Sequence, residues 1–274
     1  QQLAAGARSF AAARQAAVQA LCPGSDIAAL LDKPNNNLAV EYCKAIIEQN
    51  VEMQPIALPR QGADHGQALT ESSHTAFASA SALRALWAEG GAAALAPYVP
   101  QKALKLYKQA EYDGKYTDFA VMGHCELALL RAACTEQAPF AAVRGVSEGL
   151  EHRLENAVRE TASLPALLDA LTTVRYPRAR MRRLAMDAAL GYTAQTPALP
   201  PYLHLLGARK ETLPLPGETA LPLSHSLARL ARENETCAQM AAAQSRASDL
   251  GALCRAKPEP MGGIYRQKII FLTN

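Results

Sequence analysis

Aromatic residues are scarce in this sequence of 274 residues, at 5% of the chain, whereas hydrophobic residues make up 49%. Alanine and leucine supply much of the hydrophobic content. Both favour helices, while strands are enriched in aromatic and β-branched residues. This composition argues against a sheet-dominated sandwich or barrel. We therefore expect a mostly α protein with a smaller α/β part.

Long apolar runs are also missing from the sequence. No stretch approaches the roughly 18 residues that a membrane span needs, and the N-terminus lacks the basic start and apolar middle of a signal peptide. We therefore expect a cytoplasmic protein with no membrane partner. The chain opens with Gln1-Gln2-Leu3 rather than methionine and passes directly into a helical pattern, so we expect a truncated polypeptide.

The six cysteines are scattered without a C-x-x-C spacing, and the net charge is only +3. Scattered cysteines in helical patterns are typical of buried reduced thiols rather than of disulfides or zinc ligands. We accordingly predict no metal site. A charge of +3 does not by itself indicate a nucleic-acid partner, so any such inference depends on local clusters of basic residues.

The first part of the chain reads as a mixture of helices and one strand. Helical patterns at 10–21 and 27–31 precede a third helix, which follows a run of asparagines. A β-branched alternation at 51–58 predicts a strand, and the polar residues at 61–73 predict a surface loop. The succession of helix, strand and loop favours an α/β domain over 1–95.

From about residue 97 onward the strand pattern disappears, and five consecutive helical patterns predict a helical domain over 96–195. Residues 196–274 mix short apolar pieces with one helix at 237–254, and we expect an α/β tail that packs on the rest. The five helical patterns lie at 102–110, 116–133, 147–161, 164–173 and 177–190.

Two predicted helix starts carry residues suited to binding nucleotide phosphates. The first follows the asparagine run, where Asn35 or Asn36 is the predicted N-cap, and the second is a serine-rich run with Arg84 about one turn later. Unpaired amides at a helix N-terminus attract anions. Arg60 is expected to join them, since ligands in open α/β sheets bind at the carboxyl ends of strands. Alternatively, the asparagines and serines only cap their own helices and Arg84 is solvated.

A basic cluster lies at 175–183, where five arginines fall in nine positions, and no acidic residue occurs between Asp169 and Asp187. A local concentration of positive charge favours contact with a phosphate backbone. The five residues are Arg175, Arg178, Arg180, Arg182 and Arg183.

Helical spacing within this cluster places Met181 and Leu184 on one apolar face and distributes the arginines over both flanks. Such a helix packs on the protein through its apolar face and presents arginines to RNA. The alternative is that the arginines pair with acids elsewhere in the chain. The candidate acids are Glu148, Glu151 and Glu155.

Five motifs, in their order and spacing, resemble the tRNA(Met) cytidine acetate ligase family, a branch of the HIGH-type nucleotidyltransferases. The resemblance continues through YLHLLG at 202–207 and ASDL at 247–250, so it covers essentially the whole chain. Each motif alone is weak, whereas five in order are specific. They are PNNNLAVEY at 34–42, PRQGADH at 59–65, ASASALR at 78–84, EGLEHR at 148–153 and RYPRARMRR at 175–183.

The resemblance implies an enzyme that uses ATP to activate acetate as acetyl-adenylate and then acetylates N4 of the wobble cytidine of elongator tRNA(Met). It implies the C-terminal portion of a Rossmann-like nucleotidyltransferase domain followed by a helical domain. ATP is the expected cofactor, with Mg²⁺ as its counter-ion, and tRNA and acetate are the other expected partners.

Site residues follow from the same resemblance, position by position. In the second phosphate-side motif Arg84 would stabilise charge that develops on the phosphates. The arginine cluster at 175–183 would hold tRNA. The positions that match ATP-binding motifs are Asn35, Asn36, Arg60, Ser79, Ser81 and Arg84.

The family's His-x-Gly-His motif does not occur in the chain. Without these imidazoles we expect adenylate formation to fail in this polypeptide alone. Two other functions stay open. One is a non-catalytic, nucleotidyltransferase-derived RNA-binding protein, and the other is a nucleotidyltransferase that acts on a small phosphorylated cofactor precursor. In the second case the arginine cluster would have no role.

Overall fold

Helices dominate the computed structural model, which describes residues 10–31, 34–58, 78–135, 137–147, 149–209, 211 and 219–272. The predicted predominance of helix is therefore confirmed. The α-helices are α1 (Phe10–Leu21), α2 (Ile27–Leu30), α3 (Pro34–Glu48), α4 (Ala80–Gly90), α5 (Gln101–Asp113), α6 (Phe119–Ala133), α7 (Leu150–Glu160), α8 (Leu164–Leu171), α9 (Arg178–Ala189), α10 (Leu227–Leu230), α11 (Glu235–Leu253) and α12 (Gly263–Arg266). The strands are β1 (Leu203–His204), β2 (Gly207–Arg209), β3 (Leu223–Ser224) and β4 (Ile270–Leu272).

The chain separates into two compact units. The first consists of Gln1–Leu83 and Thr173–Pro177, and the second of Arg84–Thr172 and Arg178–Asn274. The boundary after Leu83 therefore falls inside α4. The domain limits predicted at 95 and 195 stay predictions.

Side-chain caps explain where several helices of the second unit begin. Asp118 precedes α6 and accepts hydrogen bonds from the amides of Ala120 at 2.9 Å and Val121 at 3.1 Å. Asn234 caps α11 in the same way through the amide of Cys237 at 2.9 Å. Each cap satisfies amides that have no acceptor within the helix, so the local sequence fixes the helix start.

Replacing Asp118 with alanine is expected to lower the free energy of unfolding by about 1 kcal/mol, because two first-turn amides of α6 lose their acceptor. Urea titration followed by circular dichroism measures the change. Asp113→Ala is the matched control, since Asp113 ends α5 and its carboxylate accepts only from the exposed side chain of Gln109 and caps no backbone amide, so a change within about 0.5 kcal/mol is expected there. Equal effects of the two substitutions would contradict the capping role.

Four helices of the second unit, α6 to α9, pack around a leucine-rich core. Burial of one such side chain stabilises the fold by about 1.5–3 kcal/mol relative to exposure. One ionisable residue, Glu126 of α6, is buried in the same region. The core residues contributed by these helices include Leu127, Leu130, Leu150, Leu154, Val158, Leu167, Leu168, Leu171, Met181 and Leu184.

Two short parallel pairs of strands follow the helices. Leu203 of β1 lies opposite Leu223 of β3, and Gly207 of β2 lies opposite Ile270 of β4. A Cβ atom at Gly207 would lie 3.1 Å from the carbonyl oxygen of Ile270, which explains the glycine at this close approach. Tyr202 and helices α10 and α11 form a small core beside β1 and β3. Residues 196–274 therefore contain both helix and strand, and the predicted α/β tail that packs on the rest stays a prediction.

Residues 51–58 form no strand, which corrects the prediction. Ile56 and Leu58 are 81% and 87% exposed. Strand pairing needs a neighbouring backbone, and none of the described residues pairs with this segment. Alternation within the segment therefore carried no information about a pairing partner. The predicted loop at 61–73 and Arg60 lie outside the described residues.

None of the helices in the described part of the chain has the length and apolarity to cross a lipid bilayer. The cysteines range from buried to exposed, with Cys125 and Cys134 in between. Cys237 and Cys254 are buried, as predicted, whereas Cys22 and Cys43 are exposed. Their scattered positions gave no signal that would have separated the two groups.

Candidate nucleic-acid interface

Helix α9 presents the arginines that the sequence singled out. Met181, Leu184 and Ala185 are buried on one face, which confirms the predicted apolar face. Arg178, Arg182 and Arg183 are exposed. The helix therefore packs through its apolar face and leaves guanidinium groups at the surface of the second unit.

Arg178 forms an ion pair with Asp169 of α8. The alternative of internal pairing therefore holds for this arginine, although Asp169 was not among the predicted acids. Glu155 instead pairs with Arg159 at 2.7 Å, and Glu148 lies outside the described residues. Both side chains of the Arg178 pair are exposed, so the pair contributes little to stability.

A cationic cavity of about 280 Å³ lies between α9 and the loop before α7. Among the described residues that line it are three arginines and one carboxylate. Arg180 also donates from Nη2 to Ser147 Oγ at 3.4 Å and to the Gly145 carbonyl oxygen at 3.5 Å. The lining residues are Arg144, Gly145, Arg180, Arg183, Leu184 and Asp187.

Arg144 is the member of this cavity that sequence reasoning missed. Its guanidinium makes a bidentate contact with Asp187, from Nη2 to Oδ1 at 2.9 Å and from Nε to Oδ2 at 3.1 Å. Its Cζ atom lies 5.2 Å from the centroid of the Tyr192 ring, and its amide donates to the Tyr192 carbonyl oxygen at 3.0 Å. The bidentate contact with Asp187 and the Tyr192 ring thus hold Arg144 in place before any ligand binds.

Arg182 lies near the buried carboxyl group of Glu126. Glu126 is 1% exposed, and its Oε1 has no hydrogen-bond partner among the described residues. Burial raises the pKa of Glu126 from 4.5 to about 7, and the positive charge of Arg182 opposes this increase. One surface arginine of α9 therefore also stabilises a charge beneath it.

Arg175 belongs to the short segment Thr173–Pro177 of the first unit. Its Cζ atom lies 5.8 Å from the centroid of the Tyr176 ring. The segment is a tight turn, closed by hydrogen bonds between the backbones of Thr173 and Tyr176 in both directions. The helix that carries the remaining arginines begins only at Arg178.

The asparagine run lies inside α3 rather than at its cap. The helix begins at Pro34, so the predicted N-cap at Asn35 or Asn36 is wrong. Proline suits a first helical position because its φ angle is already helical and it needs no amide acceptor. Asn35 and Asn36 consequently occupy the first turn, where their amides have no acceptor in the helix. Asn37 is engaged differently, since its Nδ2 donates to the Leu31 carbonyl oxygen at 2.6 Å.

The serine-rich run begins α4, as predicted. Ser79 is buried and its Oγ accepts a hydrogen bond from the amide of Ala82 at 3.2 Å, so Ser79 acts as a cap. Ser81 and Arg84 are exposed. A capping hydroxyl still carries a proton that it can donate to a phosphate, so the ATP-binding assignments for these three residues stay predictions, as do those for Asn35, Asn36 and Arg60.

The described parts of the motifs differ in what they can do chemically. The cavity on α9 presents the guanidinium groups of Arg144, Arg180 and Arg183 to an anion. The first turns of α3 and α4 offer backbone amides. The α9 arginines could be located from the sequence because they lie close together in one helix. No local signal links Arg144 to Asp187, 43 positions away.

Comparison with known proteins agrees with the motifs. A model of the HIGH nucleotidyl transferase family matches residues 1–261. A tRNA(Met) cytidine acetate ligase of Listeria monocytogenes serovar 1/2a is 31% identical over 186 residues, or 66% of this chain and 45% of that protein. One from Geobacillus sp. strain WCH70 is 29% identical over 204 residues, or 68% of this chain and 49% of that protein. The chain spans about half the length of these curated relatives.

The fold is similar to that of Thermotoga maritima TmcAL in a crystal structure with bound alpha-thio ATP. The TM-score is 0.81 at 20% sequence identity, and the match covers 99% of this chain and 68% of that chain. At this identity the likeness shows the fold, and it confirms the predicted fold class. The family match confirms the resemblance that the motifs predicted.

Proposed function

The chain belongs to the HIGH nucleotidyl transferase family, and we propose that it forms part of an ATP-dependent ligase that acetylates the wobble cytidine of elongator tRNA(Met). The similarity to proteins named tRNA(Met) cytidine acetate ligase, over two thirds of the chain, is the observation that carries this proposal. The cationic cavity on α9 supports it, because an RNA substrate needs such a surface.

The proposed reaction has two steps. A carboxylate oxygen of acetate attacks the α-phosphorus of ATP and displaces pyrophosphate, which gives acetyl-adenylate. The N4 amino group of cytidine then attacks the acetyl carbonyl and displaces AMP, with loss of one proton from nitrogen. Negative charge builds on the leaving pyrophosphate in the first step, and fixed donors aimed at that charge lower the barrier.

Residues of this chain are proposed to bind and orient the nucleotide. The first-turn amides of α3 at Asn35 and Asn36 and the start of α4 offer donors to phosphates, and Arg84 offers a positive charge to the leaving group. Mg²⁺ would enter with the ATP phosphates. The described residues hold no cluster of three or more His, Cys, Asp or Glu side chains suited to a metal ion, so we assign no residue to it.

The arginines of α9 are proposed to hold the tRNA backbone. Arg180 and Arg183 line the cationic cavity with Arg144, and we add Arg144 to the predicted tRNA contacts. Asp187 orients Arg144 through both carboxylate oxygens, so its negative charge positions a donor rather than repelling the ligand. Arg178 and Arg182 complete the proposed surface on the second unit, and Arg175 stays a separate proposed tRNA contact on the first unit.

The RNA part of this proposal is tested by binding of the chain to elongator tRNA(Met). Affinity is expected to fall steeply with salt, and the double substitution Arg180→Ala and Arg183→Ala is expected to weaken binding about tenfold at low salt. The slope of log affinity against log salt should become shallower by about 1.5, since two phosphate contacts are lost. Fluorescence anisotropy at several salt concentrations measures both quantities.

Arg232→Ala is the matched control, because Arg232 is an exposed arginine outside the motifs, and it should leave affinity and slope unchanged. Equal binding by the double variant at low salt would reject the docking role of α9. Tight tRNA binding by the natural protein without acetate-dependent pyrophosphate release would favour the non-catalytic RNA-binding alternative. Pyrophosphate release that depends on a small phosphorylated acceptor, with no tRNA binding, would favour a nucleotidyltransferase that acts on a small phosphorylated cofactor precursor.

A further inference from the structure

Helix α5 carries a basic outward face with one exposed aromatic ring. Lys105, Lys108 and Tyr112 are spaced three and four positions apart, so they share one side of the helix. All three are exposed, and Tyr112 is 79% exposed. The opposite side contains Ala103 and Ala110, which are partly buried.

A lysine from a distant part of the chain is fixed on this ring. The Nζ atom of Lys257 lies 5.6 Å from the centroid of the Tyr112 ring and donates to the Tyr112 carbonyl oxygen at 2.8 Å. A cation near an aromatic face is attracted by the π electrons. The same ammonium group satisfies a carbonyl in the last turn of α5.

Backbone pairing holds Lys257 in place. Its amide donates to the Gly114 carbonyl oxygen at 3.2 Å, and the neighbouring amide of Ala256 donates to Tyr116 at 3.0 Å. Gly114 has a φ angle of 68° and ends α5. A Cβ atom there would lie 2.5 Å from Lys257 Cγ, so glycine is required both by its backbone conformation and by the lysine stem that packs on it.

Aromatic packing fixes the inner side of α5. The Trp87 and Tyr107 rings meet edge to face with centroids 5.3 Å apart, and the Trp87 and Tyr116 centroids are 5.9 Å apart. Such pairs add stability beyond the burial of their area. The outward face is therefore presented by a helix that is held from behind.

The acidic residues of α5 are engaged elsewhere. Glu111 accepts from the amide of Ala92 at 2.9 Å, and Asp113 lies 3.8 Å from Lys115 Nζ. Within the described parts of the chain, no carboxylate forms an ion pair with Lys105 or Lys108. The outward face therefore carries an excess of positive charge around an exposed ring.

We propose that this face binds an unpaired nucleotide of an RNA strand. A base would stack on the Tyr112 ring, and the lysines would contact the flanking phosphates. Unpaired bases expose their π faces, whereas those of a duplex are stacked internally. The choice of RNA as the ligand rests on the proposed function. We name the surface the tyrosine–lysine platform, and it consists of Lys105, Lys108, Tyr112 and Lys257.

Titration of the full chain with a ten-nucleotide single-stranded RNA that contains 2-aminopurine tests the platform. Tyr112→Ala is expected to weaken binding about tenfold and to abolish the fluorescence quenching that stacking causes, with an unchanged salt slope. Tyr112→Phe should retain both the affinity and the fluorescence quenching. The double substitution Lys105→Ala and Lys108→Ala should make the salt slope shallower by about 1.4, because two phosphate contacts to a single strand are lost.

Tyr265→Ala is the control for loss of a partly exposed tyrosine on another helix, and it should bind like the unsubstituted chain. Unchanged affinity and quenching in Tyr112→Ala would overturn the platform, even where Arg180→Ala and Arg183→Ala weaken tRNA binding as expected. If Tyr112→Ala weakened the binding of an RNA duplex of the same length to an equal extent, stacking of an unpaired base on Tyr112 would be overturned. A chain that binds tRNA but not the single-stranded probe would point to a protein partner instead and overturn the proposal. Absence of all tRNA binding would reject the RNA part of the proposed function as well.

Discussion

Replacing Arg84 with alanine is expected to lower acetate-dependent pyrophosphate release by about 10- to 100-fold in the natural protein that carries this chain. Loss of one charge-assisted contact to a phosphate costs about 1.5–3 kcal/mol, which corresponds to one to two decades in rate. Arg84 is exposed in the second turn of α4, so the substitution removes no core contact. A coupled assay of pyrophosphate at saturating ATP and acetate measures the rate.

Two further variants separate charge from geometry at this position. Arg84→Lys keeps the charge but loses the planar fork, and an intermediate rate is expected. Arg232→Ala controls for loss of an exposed arginine and should leave the rate unchanged. Ser81→Ala tests the neighbouring hydroxyl without disturbing the cap at Ser79. A rate for Arg84→Ala equal to that of the unsubstituted protein, with an unchanged melting temperature, would remove Arg84 from the nucleotide site.

The helices could be predicted from sequence because their signals are local. The predicted helix at 10–21 is α1, and the pattern at 177–190 is α9 within one residue at each end. Apolar spacing, serine or asparagine caps and glycine stops all lie within a few residues of the boundaries they determine. The buried face of α9 at Met181 and Leu184 followed from the same spacing.

Features that depend on distant residues could not be predicted in this way. A strand at 51–58 needs a partner, and alternation within the segment says nothing about one. The contact between Arg144 and Asp187 joins a loop to a helix across 43 positions. The predicted cap at Asn35 or Asn36 failed for a local reason, because Pro34 can itself be the first residue of a helix.

Glu126 shows a further limit of prediction from the sequence. Its carboxyl group lies on the apolar side of α6, with one oxygen unpaired within the described residues. Burial raises its pKa from 4.5 to about 7. Between pH 4.5 and about pH 7, Glu126 keeps its proton in the folded protein but has released it in the unfolded chain. The folded state then binds more protons, so the free energy of unfolding falls as pH rises through this range.

Stability is accordingly expected to decrease by about 2.5 kcal/mol between pH 5 and pH 8 through Glu126 alone. Glu126→Gln removes the ionisation and keeps the shape of the side chain. The variant should therefore be more stable than the unsubstituted protein at pH 8, by a margin that is about 2.5 kcal/mol larger than at pH 5. Urea titrations at four pH values measure the difference, in which groups common to both proteins cancel. A margin that does not change with pH would contradict the buried carboxyl.

Arg182 connects this prediction to the proposed RNA surface. Its positive charge lowers the pKa of Glu126, so Arg182→Ala should raise that pKa further and destabilise the protein more at pH 8 than at pH 5. A loss of tRNA affinity in Arg182→Ala at neutral pH would then combine a lost phosphate contact with a weakened fold. Glu126→Gln removes the carboxylate charge. In the double variant, Arg182→Ala therefore no longer weakens the fold through Glu126. Any loss of affinity that Arg182→Ala causes in that background reports the contact with RNA alone.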